Sequence, residues 1–364
     1  MSEVKVLFLS LSSILYVLLL IEFNFYKYKI KTSHLFIGIA LLYIYLSLVR
    51  PFDFGIDFIH YYEAFIRSFS LGFGEGGGRD VALYFYYESA AKLLDFFGFS
   101  LSETSFKVVV SLWFVAIFYL IFIFADKEWK YYILLALLIL FSSRLFWEYS
   151  SNTLRSFSSG LLLSVIFFSS KKHFKIFIIF LSSIIHLKST LLVLGCLVPC
   201  YLVAKYVKNN VFFYTCLLLS LVIFIYKFIF GSFLNILFVN EIVLLLQDAL
   251  SLKLHVNKIS NDFNIQFSLF IQYFFYIFYP VFVFVFFSKI NIKDSLEFKM
   301  ISVLLFCFTL FFPEVFLLER LAQFFLLIVS VCFFRFVKEK LFYLPILLIN
   351  SYTFFILFFE SDAL

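Results

Sequence analysis

Apolar runs long enough to cross a bilayer recur with little interruption from Val4 to Phe358, and they leave few other folds open to this chain. A hydrocarbon core about 30 Å thick needs roughly 20 apolar residues as helix, or somewhat fewer where flanking groups snorkel. On that rule spans are expected near residues 4–23, 34–50, 106–125, 129–146, 154–170, 174–188, 190–204, 211–230, 264–287, 300–318, 321–337 and 341–358, about twelve crossings in all. The pair 174–188 and 190–204 reads either as one helix or as two short ones meeting at Ser189; the lysines at each end favour two. The run that opens the chain has no small-residue cleavage site after it and reads as a retained helix.

Composition agrees. Of the 364 residues 64% are hydrophobic and 14% charged, whereas a soluble domain carries about 25% charged residues, so a soluble enzyme or nucleic-acid binder is excluded. The net charge of +6 is spread along the chain, and KKHFK at Lys171–Lys175 is too short for a nucleic-acid patch. Alternate connections carry Lys27, Lys29 and Lys31; Lys127 and Lys130; Lys171, Lys172 and Lys175; Lys205 and Lys208; Lys289, Lys293 and Lys299; and Arg335, Lys338 and Lys340. Short loops rich in Lys and Arg face the cytoplasm. Both termini, the segment 51–105 and a second segment at 231–263 are then expected on the outward side, within one polytopic domain over 1–364. The five cysteines lie in apolar runs and read as small buried hydrophobes. No ligand cluster argues for a metal, and no cofactor is expected.

Ionisable groups at the edges of spans are costly and therefore informative. Arg155, in EYSSNTLRSFSSG with Glu148 and Asn152, carries a permanent charge and a fork of donors that fits phosphate oxygens; a salt bridge to Glu148 is the plainer alternative. His186, in IIHLKST with Lys188, either hydrogen-bonds a neighbouring carbonyl, positions a phosphate or takes a proton. Arg50 ends the second expected span. Asp57 and Tyr61, four apart, share a face of a short helix, with Asp57 either a base or a helix cap. LGFGEGGGRD supplies a flexible loop ending in Arg79 and Asp80. Glu319 and Arg320 follow Pro313 between two expected spans. Tyr61, Tyr62, Tyr84, Tyr86 and Tyr87 form either an interfacial belt or a surface that contacts sugar or lipid. Arg50, Arg79, Arg155, Arg320 and His186 are expected to line one outward cavity suited to a diphosphate on a long hydrocarbon tail.

GIDFIHYYEAF, NTLRSFSSG and IIHLKST, in that order within a many-span chain, resemble the EpsG-like branch of the Wzy family of bacterial polysaccharide and O-antigen polymerases. Ser156, Ser158 and Ser159 depart from that pattern. The resemblance implies an all-α integral membrane protein of about 12 transmembrane helices with a long periplasmic loop of short helices, to which a GT-C-like architecture would correspond. It implies a glycosyltransferase of the inner membrane. The growing glycan would pass from its undecaprenyl pyrophosphate carrier to an incoming lipid-linked unit on the periplasmic face, in O-antigen, lipopolysaccharide or exopolysaccharide synthesis. Asp57, Arg155 and His186 would be catalytic. Arg50, Tyr61, Arg79, Asp80, Glu148, Asn152, Lys188, Glu319 and Arg320 would bind substrate. The expected partners are the lipid-linked oligosaccharide, the bilayer, and a chain-length regulator and flippase of the same pathway, with no nucleic acid. A transporter or flippase of the same lipid is the rival reading; it predicts ionisable groups near mid-membrane.

Overall fold

A computed structural model describes residues 31–50, 52, 56–71, 81–141, 143–230, 271–287, 296–311, 319–337, 340–343, 345–346 and 348. The helices run in chain order as α1 (Thr32–Val49), α2 (Ile56–Leu71), α3 (Val81–Phe96), α4 (Glu103–Phe124), α5 (Lys127–Leu140), α6 (Arg144–Asn152), α7 (Leu154–Leu163), α8 (Val165–Phe168), α9 (Lys172–Tyr206), α10 (Asn210–Phe230), α11 (Tyr279–Phe287), α12 (Leu296–Phe311) and α13 (Glu319–Phe336). A π-helical turn, Phe274–Phe278, leads into α11. The expected span 4–23, the segment 231–263, and Arg79 with Asp80 lie outside the described residues.

Three of these helices, α1, α4 and α9, are long and apolar enough to cross a membrane, and they make this a membrane-associated protein. A fourth span results if α5 is joined to residues 145–152, which lie at 87° to it. About twelve crossings is therefore a miscount: among the described residues there are three, or four with the bent pair. Apolar stretches such as Leu154–Phe168 and Phe298–Leu310 run to 17 residues at most, about 25 Å at 1.5 Å per residue, short of a hydrocarbon core. Most apolar side chains of these two stretches pack inside the bundle. From Leu134 to Leu140 no residue of α5 is more than 6% exposed, so this half of the helix is buried all round and presents no lipid-facing stripe.

The chain turns sharply inside α9. His186 has non-helical dihedrals (φ −158°, ψ 92°), and the Ser182 and Thr190 hydroxyls lie 2.9 Å apart, where eight residues of straight helix would hold their Cα atoms about 12 Å apart. Of the two sequence readings, two short helices is the observed one, with the break three residues before the expected Ser189. The Ser159 hydroxyl meets Ser182 at 2.7 Å and Thr190 at 3.0 Å, so α7 ties the two legs together, as hydroxyls do between helices in apolar surroundings.

α7 and α13 pack so closely that a Cβ added to Gly160 would lie 3.3 Å from the Phe324 backbone nitrogen. At one end of the bundle the turns after α4 and α8 are joined by hydrogen bonds from Asp126 N to Phe168 O (2.9 Å) and from Ser170 N to Asp126 Oδ2 (2.7 Å). Arg335 at the end of α13 reaches Glu128 there at 2.9 Å. The lysines of residues 127–130 and 171–175 thus gather at this end, while Arg320, the second residue of α13, lies about 22 Å from Arg335, fifteen residues at the helical rise.

Tyr62, Tyr86 and Tyr87 are not a belt. Tyr86 donates to Val109 O at 2.7 Å and Tyr62 to Leu101 O at 3.4 Å. Tyr87 is fully buried with its ring 5.7 Å from Phe106. The aromatic groups of α2 and α3 therefore form a packed core against α4, in the edge-on arrangements that ring quadrupoles favour.

Candidate functional site

Two helix breaks lie toward the end of the bundle remote from the lysine-rich turns. The first is Thr153, the single non-helical residue (φ −129°, ψ 37°) between α6 and α7. Its hydroxyl donates to Tyr149 O at 3.1 Å and accepts from Gln323 Nε2 of α13 at 2.7 Å. The second is His186. A break frees backbone groups that a continuous helix would satisfy, and apolar surroundings tolerate it only where side chains or a ligand take them up.

At His186 a side chain does so. Its Nδ1 accepts the Ser189 backbone N–H at 3.1 Å, and Thr190 Oγ1 donates to its carbonyl at 3.1 Å, so His186 caps the second leg of α9 in the way Asn or Asp caps a helix. An Nδ1 that accepts must carry no proton. The ring's proton then sits on Nε2, and the imidazole presents a donor. This geometry argues against His186 as a base, since its one unprotonated nitrogen is already engaged, and leaves an Nε2–H that suits either a carbonyl or an anion.

Arg155, on the first turn of α7, lies over the Tyr61 ring, 5.8 Å from its centroid, and within hydrogen-bonding reach of its hydroxyl. Arg155, Arg320 and Lys188 all act electrostatically on His186. The three cations thus come from α7, α13 and the second leg of α9. Burial holds the Tyr61 phenol above its ordinary value, with the Arg155 guanidinium opposing; the hydroxyl stays protonated and able to donate. Asp57, exposed in the first turn of α2, and Tyr84 on α3 also act on Tyr61, so Asp57 and Tyr61 do share a face.

Buried polar atoms cluster at the same breaks. Asn152 Oδ1, Gln323 Oε1 and Ser189 Oγ have no hydrogen-bond partner, and Gln323 and Ser189 are each 1% exposed. Unsatisfied buried acceptors cost about 1–3 kcal/mol each, a cost that a ligand offering donors would relieve. Glu148, half-buried on α6, and Glu319, the first residue of α13, flank the cluster in sequence.

Arg50 stands apart from this arrangement. It is buried, donates to Ser151 Oγ, and has its guanidinium 4.5 Å from the Phe58 ring centroid and 5.4 Å from that of Trp147. Lys107 donates to its carbonyl. Arg50 therefore braces α6 against α1 and α2, a packing role of the cation–π kind. Thr153 and Gln323 were passed over in the sequence, although a lone glutamine in the run RLAQFFLL is the sort of polar residue that apolar helices rarely hold without reason. Among the described residues no group of three or more His, Cys, Asp or Glu is placed to hold a metal ion.

No family model matches this chain, and comparison with curated proteins and with solved structures finds no similar one. The resemblance to the EpsG-like branch of the Wzy family is corrected accordingly. Three short motifs carried it, no family model supports them, and the described residues hold three or four helices fit to span a membrane rather than the many-span architecture of those polymerases. The glycosyltransferase and O-antigen assignments that rested on that membership lose their basis with it.

Proposed function

We propose that this cluster binds the phosphate-bearing head of a lipid-linked substrate at the outward face of the membrane. The observation that carries the reading is that Arg155, at the start of α7 beside the break at Thr153, and Arg320, at the start of α13, both act electrostatically on His186 at the break in α9, with the exposed Lys188 two residues on. Positive charge fixed in apolar surroundings binds an anion strongly, because no reorganisation is needed and water screens little. A diphosphate would receive the guanidinium fork of Arg155, the Nε2–H of His186 and the charge of Arg320. Tyr61, Asn152 and Gln323 would hold the hydroxyl-rich group that the diphosphate carries.

Independently of any family, the phosphate-bearing head would be that of an oligosaccharide on a polyprenyl diphosphate such as undecaprenyl diphosphate. The site would serve to pass its glycan to an incoming lipid-linked unit. Diphosphate is already a good leaving group, so fixed cations that receive its charge would supply most of the catalysis, and Asp57 would orient or deprotonate the acceptor hydroxyl. A flippase and a chain-length regulator would act before and after this step.

The test uses purified protein in lipid nanodiscs, supplied with a lipid-diphosphate oligosaccharide and neither metal nor nucleotide sugar. Retention of the lipid and lengthening of its glycan are expected, with both lost in Arg155→Ala and partly kept in Arg155→Lys. Retention unchanged in Arg155→Ala would remove the site; retention without lengthening would leave binding and dismiss the transfer.

A further inference from the structure

The lysine-rich end of the bundle holds a cavity of about 550 Å³, within the size range of small-molecule sites. It lies where two of the spans stop, since Asp126 follows α4 and Ser169 and Ser170 precede α9, with Arg335 in the last turn of α13. Its level is therefore that of the membrane interface. Four charged residues line it, Lys175 and Arg335 against Asp126 and Glu128, so cations and carboxylates balance. Ile166, Phe167, Phe284, Met300 and Phe336 supply apolar wall.

The charges are held in place. The Arg335 guanidinium stacks on Trp129 with its carbon 3.7 Å from the ring centroid and donates through Nη2 to Glu128 Oε2 at 2.9 Å. Asp126 Oδ2 accepts the Ser170 N–H at 2.7 Å. A rim that fixes both signs of charge above an apolar wall is complementary to an amphiphile with both signs in its head. A purely anionic head would meet two carboxylates, and a purely cationic one would meet Lys175 and Arg335.

We propose that this cavity binds a zwitterionic phospholipid, with the phosphate toward Lys175, Arg335 and the Ser169 and Ser170 hydroxyls and the ammonium toward Asp126 and Glu128. Cation-lined pockets between membrane helices take up anionic lipid heads; here two carboxylates beside the two cations favour a head that also carries an amine. The acyl chains would follow the Phe284, Met300 and Phe336 wall toward the hydrocarbon. Residues of the outward cluster take no part.

The experiment is native mass spectrometry of the full chain after delipidation. Phosphatidylethanolamine and phosphatidylglycerol of equal chain length are added in turn, then phosphoethanolamine as a head without tails. Phosphatidylethanolamine should be retained preferentially. Lys175→Gln should lower its retention about fivefold, the worth of one interfacial cation, and Ser170→Trp, which fills the rim while keeping the backbone N–H, should abolish it. Equal retention of the two lipids overturns the proposal, as does retention unaffected by both variants. Phosphoethanolamine bound as well as the lipid would assign the cavity to a soluble ligand and overturn it too. Either variant suffices if the other fails to fold.

Discussion

Gly160 allows a quantitative check on the α7–α13 contact, because two other helical glycines serve as controls. Replacing a mid-helix glycine by alanine gains about 0.5–1 kcal/mol from the reduced freedom of the unfolded chain and better helix propensity. At Gly38 in α1 and Gly195 in α9 an added Cβ meets nothing within 4 Å, so each alanine should realise that gain in full. At Gly160 the same methyl would lie 3.3 Å from Phe324 N and 3.6 Å from both Gln323 C and Gln323 Cβ. The first is tighter than carbon–nitrogen contacts allow without movement. The opposing atoms are mostly backbone, so a helix must shift, and overpacking of this kind costs about 1–3 kcal/mol. Gly160→Ala should therefore fall below Gly195→Ala by about 1–3 kcal/mol, ending near neutral or destabilised. Reversible unfolding of the three variants in mixed detergent micelles measures the difference. A Gly160→Ala protein stabilised as much as the Gly195→Ala and Gly38→Ala proteins would refute the close approach.

Other expectations concern the two helix breaks. His186→Asn keeps a side-chain acceptor for Ser189 N–H but loses the Nε2 donor, so it should retain stability while losing lipid-diphosphate retention, whereas His186→Ala should also lose about 1 kcal/mol of cap; equal stability of the two, by thermal unfolding, would contradict the cap. Thr190→Val removes hydrogen bonds to Ser159, Ser182 and His186 O and should cost about 1–2 kcal/mol, read by the same unfolding assay. Tyr61 ionises near its ordinary value of 10.0 in the unfolded chain and above it when folded. Its contribution is thus complete below that pH and is lost as pH rises through the folded value. Tyr61→Phe should flatten the alkaline limb of a melting-temperature profile, and a limb as steep as in the unaltered protein would show that Tyr61 is not the group responsible.

The sequence made the cluster visible through its cost: Arg155, His186 and Arg320 are charged or polar groups bordering apolar runs, and the structure brings them within electrostatic reach. Arg50 drew attention for the same reason and misled, because an arginine wedged between Phe58 and Trp147 looks identical in one dimension to one awaiting an anion. The span count failed on a related point. Hydropathy records that Leu134–Leu140 are apolar but not that all of them face other helices, and it cannot register a helix of at most 17 residues being too short to cross. The bend in α9 was half legible, since flanking lysines favour two helices, yet the capping bond from Ser189 N to His186 Nδ1 that sets its position depends on a ring orientation no residue pattern encodes. Thr153 and Gln323 needed their mutual 2.7 Å contact to be noticed at all.

The glycine-to-backbone contact between α7 and α13 also bears on the cation cluster. Arg155 lies five residues before Gly160 on one helix and Arg320 one turn before Gln323 on the other, so a contact with no flexible side chain to yield sets the spacing of the two backbones that carry these arginines. A methyl group added at Gly160 would therefore be felt at both cations.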